Sequence, residues 1–292
     1  MNNSKYKCNL IVPGFAKCGT SSLHEYLDQH PRIQMSRPKE PHHFAFADKY
    51  ARGADIHNKL FKNSQNDTMC FGDSSTSYAV WEPAISRIAE VLDEPKAIVL
   101  IRHPIERLLS HYRWMYRIGN ETERLETAVR QEIENGYDIN CHRRGCYPWY
   151  LRHSQYSTFC PTICEKLGKE NTLFIKTSIL SKNPEAVFKK IFRFIEVPNH
   201  PINFRSLHNT TDSQSPIVPP KLREQYSRVP RILRRAFRST RLTQFTRKIV
   251  ARRPNAPEPT TNELALVTQQ LSADIDFFMK QPDCFVSSEM RR

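Results

Sequence analysis

The sequence predicts an α/β fold, an open and mainly parallel sheet flanked by helices, followed by a helical, basic C-terminal part. Three observations predict it. Leu10–Val12 is a short apolar run that passes through a two-glycine turn into a helical pattern. Residues 97–101, Ala-Ile-Val-Leu-Ile, form an unbroken apolar run, the signature of a strand buried on both faces of a parallel sheet. Residues 172–175 repeat that pattern, and helical spacing follows each run.

The first of these stretches carries the most chemistry. After Val12 the chain reads Pro13-Gly14-Phe15-Ala16-Lys17-Cys18-Gly19-Thr20-Ser21-Ser22-Leu23. Leu23, Tyr26 and Leu27 then share one helical face. A strand, a glycine turn and a helix N-terminus form a phosphate site, because free N–H groups and the positive end of the helix dipole point at the anion. Lys17 adds a full charge, and the hydroxyls of Thr20, Ser21 and Ser22 add donors. The turn is P-loop-like, but Lys17 precedes Gly19, whereas nucleotide-triphosphate loops end in Gly-Lys-Ser/Thr.

Ile33, Gln34 and Met35 make a short strand. The following segment, Ser36 to Phe44, is extended because Pro38 and Pro41 bracket Lys39-Glu40. Residues 45–70 read as a helical surface region, and residues 71–78 as a hydroxyl-rich loop. Ile85, Ile88, Ala89 and Leu92 mark a helix closed by Pro95. The strand at 97–101 ends in Arg102-His103-Pro104. Pro104 starts a helix that buries Ile105, Leu108, Leu109 and Tyr112. Ligands of open α/β sheets bind beyond the carboxyl ends of the strands, so Lys17 and Arg102 are expected at one crevice. Residues 121–135 read as a polar, solvent-facing helix, and Tyr150, Leu151, Tyr156 and Phe159 as core of a later one. Pro184 starts a helix with Val187, Phe188, Ile191 and Ile195 inward. A last helix is expected over 260–281, burying Leu264, Val267, Leu271, Ile275 and Phe278.

At 292 residues the chain can bury one full core, assigned here to residues 1–220, with 221–292 as a basic helical extension packed on the same domain. The net charge is +14, and residues 221–253 hold twelve Lys/Arg against the single acid Glu224, so the basicity belongs to that segment. It fits an anionic acceptor or a peripheral membrane contact better than nucleic acid. No run is apolar enough to span a bilayer and no secretory h-region opens the chain, which implies a cytoplasmic protein. The eight cysteines include no Cys-x-x-Cys pair and read as reduced thiols.

The Gly14–Leu23 turn, the Lys39-Glu40-Pro41-His42-His43-Phe44 segment and the Arg102…Arg107…Ser110…Tyr112 block occur in the order found in sulfotransferases that use 3′-phosphoadenosine 5′-phosphosulfate (PAPS). Over residues 8–198 the chain resembles that family, nearest to the heparan sulfate and other carbohydrate sulfotransferases and their bacterial relatives. The resemblance implies that Lys17, Cys18, Gly19, Thr20, Ser21 and Ser22 hold the 5′-phosphosulfate. It implies that Arg102 and Ser110 hold the 3′-phosphate, and that Glu40 is the base, with His43 as the second candidate. Lys17 would shield the bridging oxygen. The reaction needs no metal, and none is assigned; the acceptor is expected to be a carbohydrate or a lipid-linked hydroxyl or amine. One departure is Ser74, where the heparan sulfate enzymes carry a lysine; Lys39, His42 or His43 could compensate. The family's glycine-rich loop over the 3′-phosphate is not recognisable in this sequence; 143–145 or 208–215 could substitute for it. Rival readings are a kinase-like NTP-using enzyme, disfavoured by the lysine order, and a basic binding module centred on 221–253.

Overall fold

The computed structural model describes residues 5–62, 65–142, 147–204 and 255–291. The basic segment 221–253, and both candidates for the 3′-phosphate loop, 143–145 and 208–215, lie outside the described residues.

Five strands run parallel: β1 (Leu10–Val12), β2 (Ile33–Met35), β3 (Cys70–Ser74), β4 (Lys96–Ile101) and β5 (Thr172–Lys176). A sixth, β6 (Cys284–Val286), pairs antiparallel with β5 at one edge. The spatial order is β2-β3-β1-β4-β5-β6, so β1 lies between β3 and β4 and its carboxyl end opens on a crevice between two sets of connections. Residues 97–101 of β4 and all of β1 are fully buried, as their unbroken apolar sequence requires.

Among the described residues the helices are α1 (Thr20–Leu27), α2 (Ala47–Tyr50), α3 (Gly53–Asn58), α4 (Glu82–Val91), α5 (Pro104–Arg117), α6 (Leu125–Asn135), α7 (Tyr156–Leu167), α8 (Thr177–Lys182), α9 (Pro184–Phe194), α10 (Thr261–Gln270) and α11 (Ser272–Lys280). Proline occupies the first turn of α4, α5 and α9, where its missing N–H costs nothing. The Asn183 side chain caps α9 by accepting from Ala186 N at 3.3 Å.

Several local expectations are corrected. Residues 71–74, read as the start of a hydroxyl-rich loop, belong to the strand β3, because pairing with β1 and β2 overrides the weak strand propensity of Gly72, Asp73 and Ser74. The helix expected at 121–135 starts at Leu125 and is not wholly solvent-facing: Leu125, Ala128, Val129 and Glu132 are buried. Tyr150 and Leu151 are buried but precede α7. The last helix breaks at Leu271, and β6 follows it unannounced. Of its expected core residues, Val267, Leu271 and Phe278 are buried, while Leu264 and Ile275 are only partly so.

The C-terminal helices pack beside the site. Val267 and Leu271 complete a second apolar cluster with Leu108, Tyr112 and Met115 of α5 and with Tyr150 and Leu151. Thr260 and Glu263 form a capping box at the start of α10. Arg124 donates twice to Glu263, at 3.2 and 2.8 Å, and these bonds hold that carboxyl down at about 2.

Candidate active site

The β1–α1 turn is held against its neighbours by backbone bonds. Phe15 N donates to Leu100 O at 3.1 Å, Leu100 N to Gly14 O at 3.2 Å, and Ala79 N to Pro13 O at 2.9 Å. A Cβ at Gly14 would stand 2.8 Å from the Ala79 Cβ, so only glycine allows this approach. Gly19 has φ of 90° and caps α1 without a side chain. The first N–H groups of a helix have no intrahelical acceptor, so those of α1 are aimed into the crevice together with the helix dipole.

The turn is also fixed from below. Arg107, on α5, is fully buried. It donates to Ser154 Oγ at 2.6 Å, to Ala16 O at 3.4 Å and to the Tyr150 carbonyl, and it lies 3.3 Å from His111 Nδ1. The hydroxyl of Thr177, the first residue after β5, lies 2.8 Å from Cys18 O and 3.1 Å from Ile101 O and shares its one proton between them, tying the turn to β4. The Cys18 thiol points into the core, 3.6 Å from Tyr156 OH, and burial pushes it up; this residue faces the crevice with backbone only.

Lys17 sits half-buried, with φ of 65° and its ammonium 5.3 Å from the centre of the Trp114 ring. Burial lowers it to about 8, and the charges of Arg102, Arg107 and Arg117 push the same way, opposed by Glu40. The charges of Arg102, Arg107 and Arg117 thus reach Lys17 from the end of β4 and from α5, and that of Glu40 reaches it from the segment after β2. Arg102 leaves the end of β4 with its side chain 34% exposed and paired to Glu106 at 3.1 Å. Ser110 is buried two turns into α5, and Trp114 lies one turn beyond it on the same face.

The segment after β2 brings a carboxylate to this crevice. Glu40 N donates to Ser74 O at 3.0 Å. Its carboxylate meets Lys39 Nζ at 2.7 Å, Thr76 Oγ1 at 3.2 Å and His42 Nε2 at 3.5 Å. Glu40 and His42 both adopt positive φ, 57° and 53°, a conformation that non-glycine residues keep only where their surroundings enforce it. His42 Nδ1 lies 2.7 Å from Ser77 Oγ, and burial lowers the ring's pKa against the opposing charge of Glu40. His43 turns the other way, into an aromatic group with Tyr6, Phe44 and His57, where burial lowers it to about 4. The structure therefore brings His42, not His43, beside Glu40.

The residue types expected from the sequence converge on one side of the sheet, with Lys17 and α1 following β1, and Arg102 and Ser110 following β4. Sequence reasoning named Arg107 within the Arg102…Tyr112 block but gave it no role, although a charged residue on the apolar face shared by Leu108 and Tyr112 was a legible signal. Thr177, Ser75 and Tyr78 gave no such signal. Among the described residues no helix is long and apolar enough to cross a membrane.

A parallel sheet with a phosphate-type turn at the end of its central strand defines a P-loop-like group-transfer fold. Residues 8–215 match the model of the sulfotransferase domain, and the chain belongs to the sulfotransferase family. Over 137 residues, 45% of this chain, it is 31% identical to the membrane-associated sulfotransferase kil1 of Dictyostelium discoideum. Over 195 residues, 65% of this chain, it is 24% identical to human bifunctional heparan sulfate N-deacetylase/N-sulfotransferase 1. These matches span only 28% and 22% of those relatives. A sulfotransferase from Alicyclobacillus acidocaldarius shares the fold, with a TM-score of 0.60, 23% identity and coverage of 76% of this chain and 90% of that one.

Proposed function

We propose that the protein transfers the sulfuryl group of PAPS to a hydroxyl or amine of a carbohydrate acceptor. The observation that supports this reading is that Lys17 and α1 follow β1, Arg102 and Ser110 follow the adjacent parallel strand β4, and the charges of Arg102 and Glu40 both act on Lys17. In this reading the turn from Lys17 to Ser22 holds the 5′-phosphosulfate, while Arg102 and Ser110 hold the 3′-phosphate. The acceptor oxygen or nitrogen attacks sulfur as the bond from sulfur to the bridging oxygen breaks. Glu40 takes the acceptor proton, and Lys17 neutralises the charge that develops on the departing 3′,5′-bisphosphate. Such transfer depends on positioning and charge stabilisation more than on covalent chemistry by the protein. Lys39, 2.7 Å from Glu40, supplies the second cation that Ser74 does not. The carbohydrate class is supported by the heparan sulfate relatives, and the segment 221–253 offers positive charge to an anionic acceptor or to lipid.

The test is ligand-dependent thermal stabilisation. Adenosine 3′,5′-bisphosphate (PAP) should raise the melting temperature, by about 2.7 kcal/mol of stability at a hundredfold excess over its dissociation constant. ATP with Mg²⁺ should not; the reverse pattern would move the protein to the kinase-like reading. Arg102→Ala should weaken PAP by roughly 10- to 100-fold, the loss of a charge-assisted hydrogen bond, and AMP hardly at all. Equal losses for PAP and AMP would remove Arg102 from the 3′-phosphate. Activity is then read as transfer of labelled sulfate from PAPS to heparosan and its N-deacetylated form, with hydrolysis of PAPS by water as the acceptor-free reference.

The depressed value of Lys17 also predicts a pH dependence. Its ammonium is present below about 8 and is lost as pH rises through that value, well before a free lysine would lose it. A bound anion favours the charged form. Once the phosphates of PAP are fully ionised, its affinity should therefore fall as pH rises through about 8, by up to about tenfold per unit. Isothermal titration of Lys17→Met should show weaker binding without that fall; a wild-type profile flat to pH 9.5 would contradict the assignment.

A further inference from the structure

Asp73 is a fully buried carboxylate at the end of β3, outside the set of residues assigned above. It receives three hydrogen bonds, from Ser75 Oγ at 2.9 Å, Tyr78 OH at 2.8 Å and His57 Nε2 at 3.1 Å. Two of these donors face the segment that carries Glu40. His42 N donates to Ser75 Oγ at 3.1 Å, and Phe44 N donates to Tyr78 OH at 3.3 Å. With the bond from Glu40 N to Ser74 O, alternate residues 40, 42 and 44 are tied through their N–H groups to the stretch 74–78.

The direction of the protons matters. A hydroxyl has one proton and two acceptor lone pairs. An ionised carboxylate only accepts, so it obliges both hydroxyls to spend their protons on it and to turn lone pairs toward the segment. Burial alone would raise the Asp73 carboxyl, but the bonds from His57, Tyr78 and Ser75 outweigh it and hold the group ionised. Resting on the reading of Glu40 as base, we propose that Asp73 is its positioning residue: it orients the Ser75 and Tyr78 hydroxyls to receive the His42 and Phe44 N–H groups, and so fixes the segment that aims Glu40. This role also accounts for the positive φ of Glu40 and His42, which the anchors on either side of each residue enforce.

The test combines hydrogen exchange with a double-mutant cycle. Asp73→Asn keeps the shape but puts an amide donor where only acceptors stood, so one relay must break. The amides of His42 and Phe44 should exchange at least about tenfold faster, while those of β1 and β4 keep their protection. Turnover, measured as PAPS-dependent sulfation of N-deacetylated heparosan and as PAPS hydrolysis, should fall by roughly 10- to 100-fold, the usual cost of misplacing a reacting group. PAP affinity should stay unchanged. In a Glu40→Gln background, Asp73→Asn should cost nothing further, because Asp73 acts through Glu40. The double variant Ser75→Ala/Tyr78→Phe, which leaves Asp73 and His57 in place, should reproduce the exchange pattern and the loss of turnover even if Asp73→Asn fails to fold. Additive losses, faster exchange throughout the sheet, or equal loss of PAP affinity and turnover would overturn the proposal. Normal turnover of Glu40→Gln alone would instead overturn the base assignment beneath it, and the exchange measurement, which involves no turnover, separates the two.

Discussion

Glu40→Gln is expected to reduce turnover by roughly 10²–10⁴-fold, the usual contribution of a positioned general base. The side chain keeps its size, and one oxygen can still accept from Thr76 or from Lys39, which now meet the carboxylate at 3.2 and 2.7 Å. PAP affinity should change little, because Glu40 acts on Lys17 only through space and the donor contacts are made by other elements. Removing its negative charge should raise PAP affinity slightly if it changes it at all. The measurement is turnover on the best heparosan acceptor beside PAP titration calorimetry. Turnover within about threefold of wild type would remove Glu40 from proton transfer. A loss of PAP affinity matching the loss of turnover would assign Glu40 to the donor site instead.

The second large effect is expected at Arg107. This guanidinium is fully buried and satisfies the Tyr150 and Ala16 carbonyls and Ser154 Oγ. Arg107→Met fills most of the volume but leaves those acceptors unpaired. The expected loss of stability is about 3–5 kcal/mol, as for breaking a buried polar network. At roughly 2–4 °C per kcal/mol this lowers the melting temperature by about 10 °C. The donor site should suffer too, because the Ala16 carbonyl adjoins Lys17 and loses its tether. A PAP affinity equal to wild type, measured well below the melting temperature, would show that the turn is held by Thr177 and the backbone alone. A melting temperature within 2 °C of wild type would mean that the freed acceptors find other partners.

The order of strong signals was legible in the sequence because each rests on local chemistry. Buried parallel strands must be continuously apolar, which marked β1, β4 and β5. Proline-started helices and the glycine turn depend on backbone angles that few residues accept. The strand β3 was hidden for the opposite reason. Gly72, Asp73 and Ser74 have poor strand propensity, and only pairing on both sides makes them a strand. The edge strand β6 is three residues long and follows a helix, so nothing periodic announced it.

The site divides along the same line. Lys17, Arg102, Ser110 and Glu40 were singled out in the sequence because each stands in a short motif beside a strand end, and their proposed roles come from the family resemblance. Which of two adjacent histidines would stand by Glu40 could not be read, since it depends on the positive φ of Glu40 and His42. Asp73, Ser75 and Tyr78 are ordinary polar residues in the sequence; only the register of β3 against β1 puts them under the Glu40 segment. By itself the sequence determined the fold class, the phosphate-type turn and the family of chemistry, because these follow from residue type and short-range spacing. Only the tertiary structure decided how the Glu40 segment is held and what supports the turn, because those depend on hydrogen bonds such as Phe44 to Tyr78 and Arg107 to Ala16, between residues far apart in the chain.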